Sequence, residues 1–137
     1  MRFILFFSII LTFTVAETTM IKDSKTNLMW EDTQHVQETK ITQPRAVKYC
    51  SELKLGNFTD WRLPTIHELL GIVDYKRINP ALIGEFSYIE KESFYWSKTS
   101  VADADDEFWG VNFKRGASSK ASEYYDRYAR CVRSLTK

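Results

Sequence analysis

The stretch Asp60-Trp61-Arg62-Leu63-Pro64-Thr65-Ile66-His67-Glu68-Leu69 decides how this chain is read. Pro64 fixes its own φ and drives Leu63 toward extended backbone, so the chain enters the next element stretched. Thr65 stands at an N-cap position with Glu68 three residues on. This is the capping-box spacing, in which two side chains satisfy two backbone N–H groups at a helix start. Ile66, Leu69, Leu70 and Val73 follow at i, i+3, i+4 and i+7, one apolar helical face. Gly71 weakens that helix slightly, and Asp74 begins its exit. Trp61 beside Arg62 has two readings, a sugar-stacking platform or a core aromatic next to a structural ion pair. The second is favoured, because large aromatics dominate small cores.

Upstream, Met20 to Glu31 reads as a hairpin, with Asp23-Ser24-Lys25-Thr26-Asn27 as turn chemistry and Leu28-Met29-Trp30 as the returning strand. Residues 32–42 are polar and irregular. Pro44 opens a helix that carries Ala46, Tyr49, Cys50 and Leu53 on one face, and Gly56 and Asn57 end it. Downstream, Asn79-Pro80 marks a turn, and Phe86 and Tyr88 dip toward the core. Three strand-like runs follow. Ser93 to Thr99 is aromatic. Glu107 to Phe113 sets Trp109, Val111 and Phe113 on one side and Asn112 opposite. Arg127 to Leu135 puts Ala129 and Cys131 on one face. A hairpin, two helices and then an antiparallel sheet is an α+β layout.

The ends and the composition bound the class. Met1-Arg2, an apolar run from Phe3 to Val15, and Thr14-Val15-Ala16 at the cut read as a signal peptide over residues 1–16. The alternative is an uncleaved anchor, for which the run is short. Residues 17–137 then form one domain, with no membrane insertion after cleavage. Only Arg2 among the charged residues leaves with the leader, so 18 basic residues face 18 acidic ones. A neutral balance argues against a general nucleic-acid binder. Aromatic residues make up 15% of the chain, which suits both a dense core and sugar contacts. Cys50 and Cys131, in an oxidising compartment, read as one disulfide that staples helix to sheet. A redox or metal-binding pair is the alternative, but C-x-x-C spacing is absent and only His35 and His67 could assist.

Several motifs, in order and over nearly the whole of residues 17–137, resemble one family. Asp23-Ser24-Lys25-Thr26-Asn27-Leu28-Met29-Trp30 is similar to its opening Asp-x-x-Thr-Gly-Leu-Met-Trp, and Ala46 to Leu53 to its first helix. Asp60 to Leu69 is similar to its Asp-Trp-Arg-Leu-Pro-Thr-x-x-Glu-Leu core. Tyr95-Trp96-Ser97-Lys98-Thr99-Ser100 and Arg130-Cys131-Val132-Arg133 are similar to its later strand and its close. This is the DUF1566, or Lcl C-terminal domain, family. The resemblance implies a C-type-lectin-like fold related to the formylglycine-generating enzyme and sulfatase-modifying group, in a bacterial extracytoplasmic domain. The family's namesake is the end of a collagen-like adhesin that binds sulfated glycosaminoglycans. Here the collagen-like tract is absent, Asn27 replaces a Gly, Lys98 a Ser and Ser134 a Gly. Asn, like Gly, tolerates left-handed backbone.

Three kinds of chemistry remain to be weighed. The formylglycine-generating relatives use a reactive cysteine pair, whereas Cys50 and Cys131 fall where the resemblance implies a structural disulfide. Ser97, Thr99 and Ser100 have no evident base partner, and no second His flanks His35 or His67 at metal-ligand spacing, so catalysis is not the expectation. Asp103, Asp105, Asp106 and Glu107 could offer oxygen ligands to Ca²⁺, but a solvated acidic turn is the better reading. No metal or other cofactor is expected. Lys114, Arg115 and Lys120 around a Gly-Ala-Ser-Ser loop, with Lys98 nearby, could attract anionic groups, and Arg127, Arg130 and Arg133 add to a basic C-terminal third. With Tyr95 and Trp109, these residues (Lys98, Lys114, Arg115, Lys120) form the candidate ligand surface. The expected function is a secreted or periplasmic binding module for an anionic glycan or another envelope component. An envelope protein is the alternative partner, and a modifying enzyme the more distant one.

Overall fold

A computed structural model describes residues 9–12 and 19–136, so most of the expected signal peptide, residues 1–16, lies outside the described residues. Strands β1 (Met20–Asp23) and β2 (Leu28–Glu31) form the expected hairpin. Asn27 takes φ +59°, the left-handed turn conformation that Asn tolerates. Helix α1 (His35–Glu38) is a single turn inside the segment read as irregular, and it buries Val36. Helix α2 (Gln43–Glu52) has Pro44 in its first turn as expected and buries Ala46 and Cys50, but it ends at Glu52, before Gly56 and Asn57. Gly56 and Asn57, both at φ +62°, then turn the chain between the bridged residues Leu55 and Phe58. Helix α3 (Ile66–Gly71) follows the opening stretch.

The later chain forms β3 (Phe94–Val101), β4 (Ala104–Asn112), β5 (Ala117–Ser122) and β6 (Val132–Ser134). Two antiparallel sheets result, ordered β1-β2-β6 and β3-β4-β5. The architecture is α+β, as expected. Two details differ. The Gly-Ala-Ser-Ser segment is a turn followed by β5, not a loop. The run from Arg127 to Leu135 is regular strand only over three residues, because its first half pairs elsewhere. Tyr128 exchanges backbone hydrogen bonds with Phe94 and Trp96 of β3, whereas the Cys131 carbonyl accepts from the Glu31 N–H of β2. The segment therefore passes from one sheet to the other.

Strand alternation then builds two apolar clusters, and each sheet contributes to both. Ile21, Trp30, Tyr95, Val111, Tyr128 and Val132 belong to one, with Ile66 and Leu69 of α3. Trp96, Ala121, Ala129 and Cys131 belong to the other, with Ala46 and Cys50 of α2. Cys50 and Cys131 form the disulfide, with Cα atoms 5.4 Å apart. No cysteine is free among the described residues.

The Asp60–Leu69 stretch spans these parts. Trp61 and Leu63 enter the α2 cluster, and Ile66 and Leu69 enter the α3 cluster. Arg62 exchanges two backbone hydrogen bonds with Val132, and the Pro64 carbonyl accepts from the Lys98 N–H of β3, so the stretch touches both sheets. The capping box is complete: Glu68 N–H donates to Thr65 Oγ1 at 3.1 Å and Thr65 N–H to Glu68 Oε1 at 2.9 Å. Thr99 adds a third partner, accepting from Ile66 N–H at 3.0 Å. Trp61 is buried and donates to the Leu55 carbonyl at 3.2 Å, which settles it as a core aromatic. Arg62 grips both oxygens of Glu68 at 2.7 and 2.8 Å, and Asp60 binds Arg133 at 2.7 and 3.1 Å.

Thr65→Ala removes the cap acceptor and is expected to cost about 1 kcal/mol in a denaturant titration. A second expectation concerns pH. Burial raises the Glu68 carboxyl, but the bonds from Arg62 and Thr65 outweigh it and hold the group below its ordinary value. Its contribution is then present in full above the unfolded carboxyl pKa of about 4.3. It is lost as pH falls from there through the lower folded value. Glu68→Gln should therefore flatten the acid limb of the stability curve, and an unchanged limb would remove Glu68 from that account.

Candidate functional site

The expected ligand surface does not converge. Tyr95 is fully buried, which corrects its placement on a ligand surface. Its hydroxyl donates to the Val36 carbonyl at 3.0 Å and accepts from Glu90 N–H at 2.9 Å. Burial pushes this phenol up to about 12, so it keeps the proton it donates. Trp109 and Lys120 are paired across β4 and β5. Lys120 is held 3.5 Å from Glu107. Lys114 and Arg115 lie in the β4–β5 turn, and Lys98 is exposed on β3. Arg130 and Arg133 leave the basic surface altogether. Arg130 is buried against Asp32, and Arg133 is nearly buried against Asp60.

The acidic run is also divided. Asp103 is in the turn before β4 at φ +61°, while Asp105, Asp106 and Glu107 are in the strand, where neighbours point to opposite faces. Among the described residues no group of three or more His, Cys, Asp or Glu is arranged to hold a metal ion. Ser97 is buried, with its hydroxyl donating to the Trp109 carbonyl at 2.7 Å, so it serves the strand pairing. His67 is exposed.

What the structure assembles instead is a basic–aromatic ridge. After α3 the chain makes a loop closed by the Val73–Leu82 bridge. Asn79 N–H donates to the Lys114 carbonyl at 2.9 Å and Ala81 N–H to that of Phe113 at 2.6 Å, which presses the loop on the β4–β5 turn. Gly116 permits the approach. It takes φ +78°, and a Cβ there would collide with Val73 and come within 3.1 Å of the Tyr75 ring. Tyr75 and Ile78 remain 72% and 62% exposed, with exposed Lys76 and Arg77 between them. Lys114 and Arg115 adjoin from the turn. Lys114 pairs with Glu92 at 3.0 Å, an exposed contact that another anion can displace at little cost.

A cleft of about 400 Å³ is lined by the Ile21–Lys25 hairpin segment, Gly71 and Ile83 to Glu85. Arg77 Nη1 lies 3.7 Å from where a Cβ of Gly84 would stand, so the loop carries charge to the cleft rim. Sequence reasoning found Lys114 and Arg115 but missed Tyr75 to Ile78. The signal was there, two large apolar residues flanking two cations just past a helix end. Among the described residues no helix is long and apolar enough to cross a membrane. A family model described as the Lcl C-terminal domain matches residues 19–133. Comparison with curated proteins finds no match.

Proposed function

The chain belongs to the Lcl C-terminal domain family, and on that premise we propose that it is a non-catalytic binding module, secreted or periplasmic, that takes an anionic glycan or another envelope component on its basic–aromatic ridge. The observation that carries this reading is the ridge itself: Tyr75 and Ile78 exposed beside Lys76, Arg77, Lys114 and Arg115. Exposed apolar groups among clustered cations suit a ligand that has both a stacking face and negative charge. The Cys50–Cys131 bond supports a compartment outside the cytoplasm, with residues 1–16 as the signal peptide. A C-type-lectin-like relationship belongs to the same proposal, supported by two small sheets flanked by helices. The same bond supports the non-catalytic reading, since a formylglycine-generating chemistry needs a reactive thiol. Thiol labelling of the unreduced protein should find none; a labelled cysteine would favour the enzyme.

The direct test is a glycan array probed with residues 17–137, and with Arg77→Glu/Arg115→Glu. Binding to sulfated or carboxylated glycans that the double variant loses is the expected result. Binding that the variant retains would move the site off the ridge. A second reading, a protein–protein module, is favoured by Tyr124 and Tyr125, which stand 75% and 65% exposed in adjacent positions. It predicts a stable envelope partner released by Tyr124→Ser/Tyr125→Ser.

A further inference from the structure

Arg127 differs from the other half-buried and buried arginines of this fold. Arg62, Arg130 and Arg133 each face a carboxylate. Arg127 faces none among the described residues, and its Nη1 is buried with no hydrogen-bond partner. Its backbone is fixed by two hydrogen bonds with Ile41. Its guanidinium lies over the rings of Phe94 and Trp96, at 4.6 and 5.1 Å. The tip reaches across β3 to Gly110, where Nη1 would stand 3.3 Å from a Cβ. A Cβ at Gly110 would also meet the Tyr95 carbonyl oxygen at 2.6 Å, so the strand leaves this place open for the arginine.

The neighbours are donors. Ser119 pairs with Gly110 and Asn112 with Phe94, so both project from the same sheet face as the guanidinium. The Ser119 hydroxyl has only a 3.4 Å contact with the Lys120 carbonyl. Asn112 Oδ1 accepts from Lys114 N–H at 2.8 Å, which leaves its amide N–H groups for another acceptor. A cation held in place, partly desolvated and without a counterion is costly unless something else supplies the charge.

We infer that Arg127 anchors an oxyanion site on this sheet face, and that its guest is the carboxylate of a sugar acid, held by the part of the guanidinium that solvent reaches, with Ser119 and Asn112 as flanking donors. A planar carboxylate matches the guanidinium fork, and the aromatic rings beneath fix the orientation of that fork. The sugar rests on the glycan reading above; the oxyanion site does not.

The test is an NMR titration of the ¹⁵N-labelled chain with tetragalacturonate, with its carboxyl-reduced counterpart and with N-acetyl-trialanine. Tetragalacturonate is expected to shift the Arg127 Nε–H and the Gly110 and Ser119 amides. The reduced tetrasaccharide should leave them in place. Arg127→Lys, which keeps the charge and loses the fork, should weaken binding about tenfold, the 1.4 kcal/mol typical of one charge-assisted contact. Arg127→Met should weaken it at least as much, yet melt at or above the parent temperature, since an unpaired cation has been removed. An Arg127→Met chain that melts well below the parent would make Arg127 a structural cation and overturn the site. Shifts confined to Lys76–Ile78 and Lys114–Arg115 would leave the glycan reading standing and end this one. Shifts with the peptide alone would overturn the sugar acid as the guest of Arg127, and the ridge's glycan reading would still stand on its own array test.

Discussion

Arg130→Met is expected to lower the unfolding free energy by about 3–5 kcal/mol, the cost typical of stranding one member of a buried ion pair. The side chain is fully buried, as is that of its partner Asp32. Nη1 donates to Asp32 Oδ1 at 3.2 Å and to the Glu31 carbonyl at 2.6 Å, Nη2 donates to the Tyr88 carbonyl, and the guanidinium lies 4.4 Å from the Phe86 ring. Asp32 in turn accepts from Ser87 and Tyr88 N–H at 2.8 and 3.1 Å. Methionine fills much of the volume but leaves Asp32 buried without its cation, and the backbone carbonyl of Glu31, a fully buried residue, loses its Arg130 donor. The hydroxyls of Tyr49 and Thr33, both 2.6 Å from Glu31 Oε1, solvate the Glu31 carboxylate but do not neutralise it. Burial and, after it, the neighbouring Glu31 hold the Tyr49 phenol far above its ordinary value, so it stays a donor. Against a typical domain stability of about 5–15 kcal/mol, this loss removes a large share of the total and brings a domain at the low end of that range close to unfolding. Urea titration measures the loss. A change below about 1 kcal/mol would put Arg130 with exposed pairs such as Lys114–Glu92, where Lys114→Met should be near neutral.

That contrast also marks how far the sequence could be read. Signals that act within a few residues were legible: the Asp23–Asn27 turn, the Pro44 helix start, the Thr65–Glu68 box, and the alternation that puts Ala129 and Cys131 in one cluster. The family motifs supplied the order, and the pairing of the two cysteines is as expected. Features set by distant partners were not legible. Ala117 to Ser122 has little intrinsic strand preference and becomes β5 because β4 pairs with it along its whole length. Tyr95 and Trp96 are adjacent aromatics whose rings enter opposite clusters, so neither is a surface ring. Arg127, Arg130 and Arg133 look alike in sequence. Their fates diverge because Asp60 and Asp32 reach Arg133 and Arg130 across 73 and 98 residues, and among the described residues no carboxylate is paired with Arg127. The ridge was hidden for the same reason: a loop after α3 meets a turn after β4 through the backbone bonds of Asn79 and Ala81 and the close approach at Gly116.

Cys50→Ala/Cys131→Ala is expected to cost roughly 4–5 kcal/mol, the chain-entropy value for a loop of this length. The two residues are 81 positions apart, so the bond restricts most of the unfolded chain. It joins α2 directly to the residue before β6, and both sulfurs lie among fully buried neighbours in the cluster that also holds Trp61, Leu63 and Trp96. Removing them should therefore loosen the helix from the sheets as well as free the unfolded state. Because both cysteines are fully buried, reductant should attack slowly in the folded protein and faster once denaturant is present. The variant separates the two effects: equilibrium unfolding gives the stability term, and reduction kinetics of the parent give the access term. A loss below about 1 kcal/mol would mean that the Asp60–Leu69 stretch and the Arg130 network already fix helix to sheet unaided. The expected loss instead makes folding depend on where the chain is made. Produced in a reducing cytoplasm, the same chain should be protease-sensitive, and oxidation after purification should restore resistance.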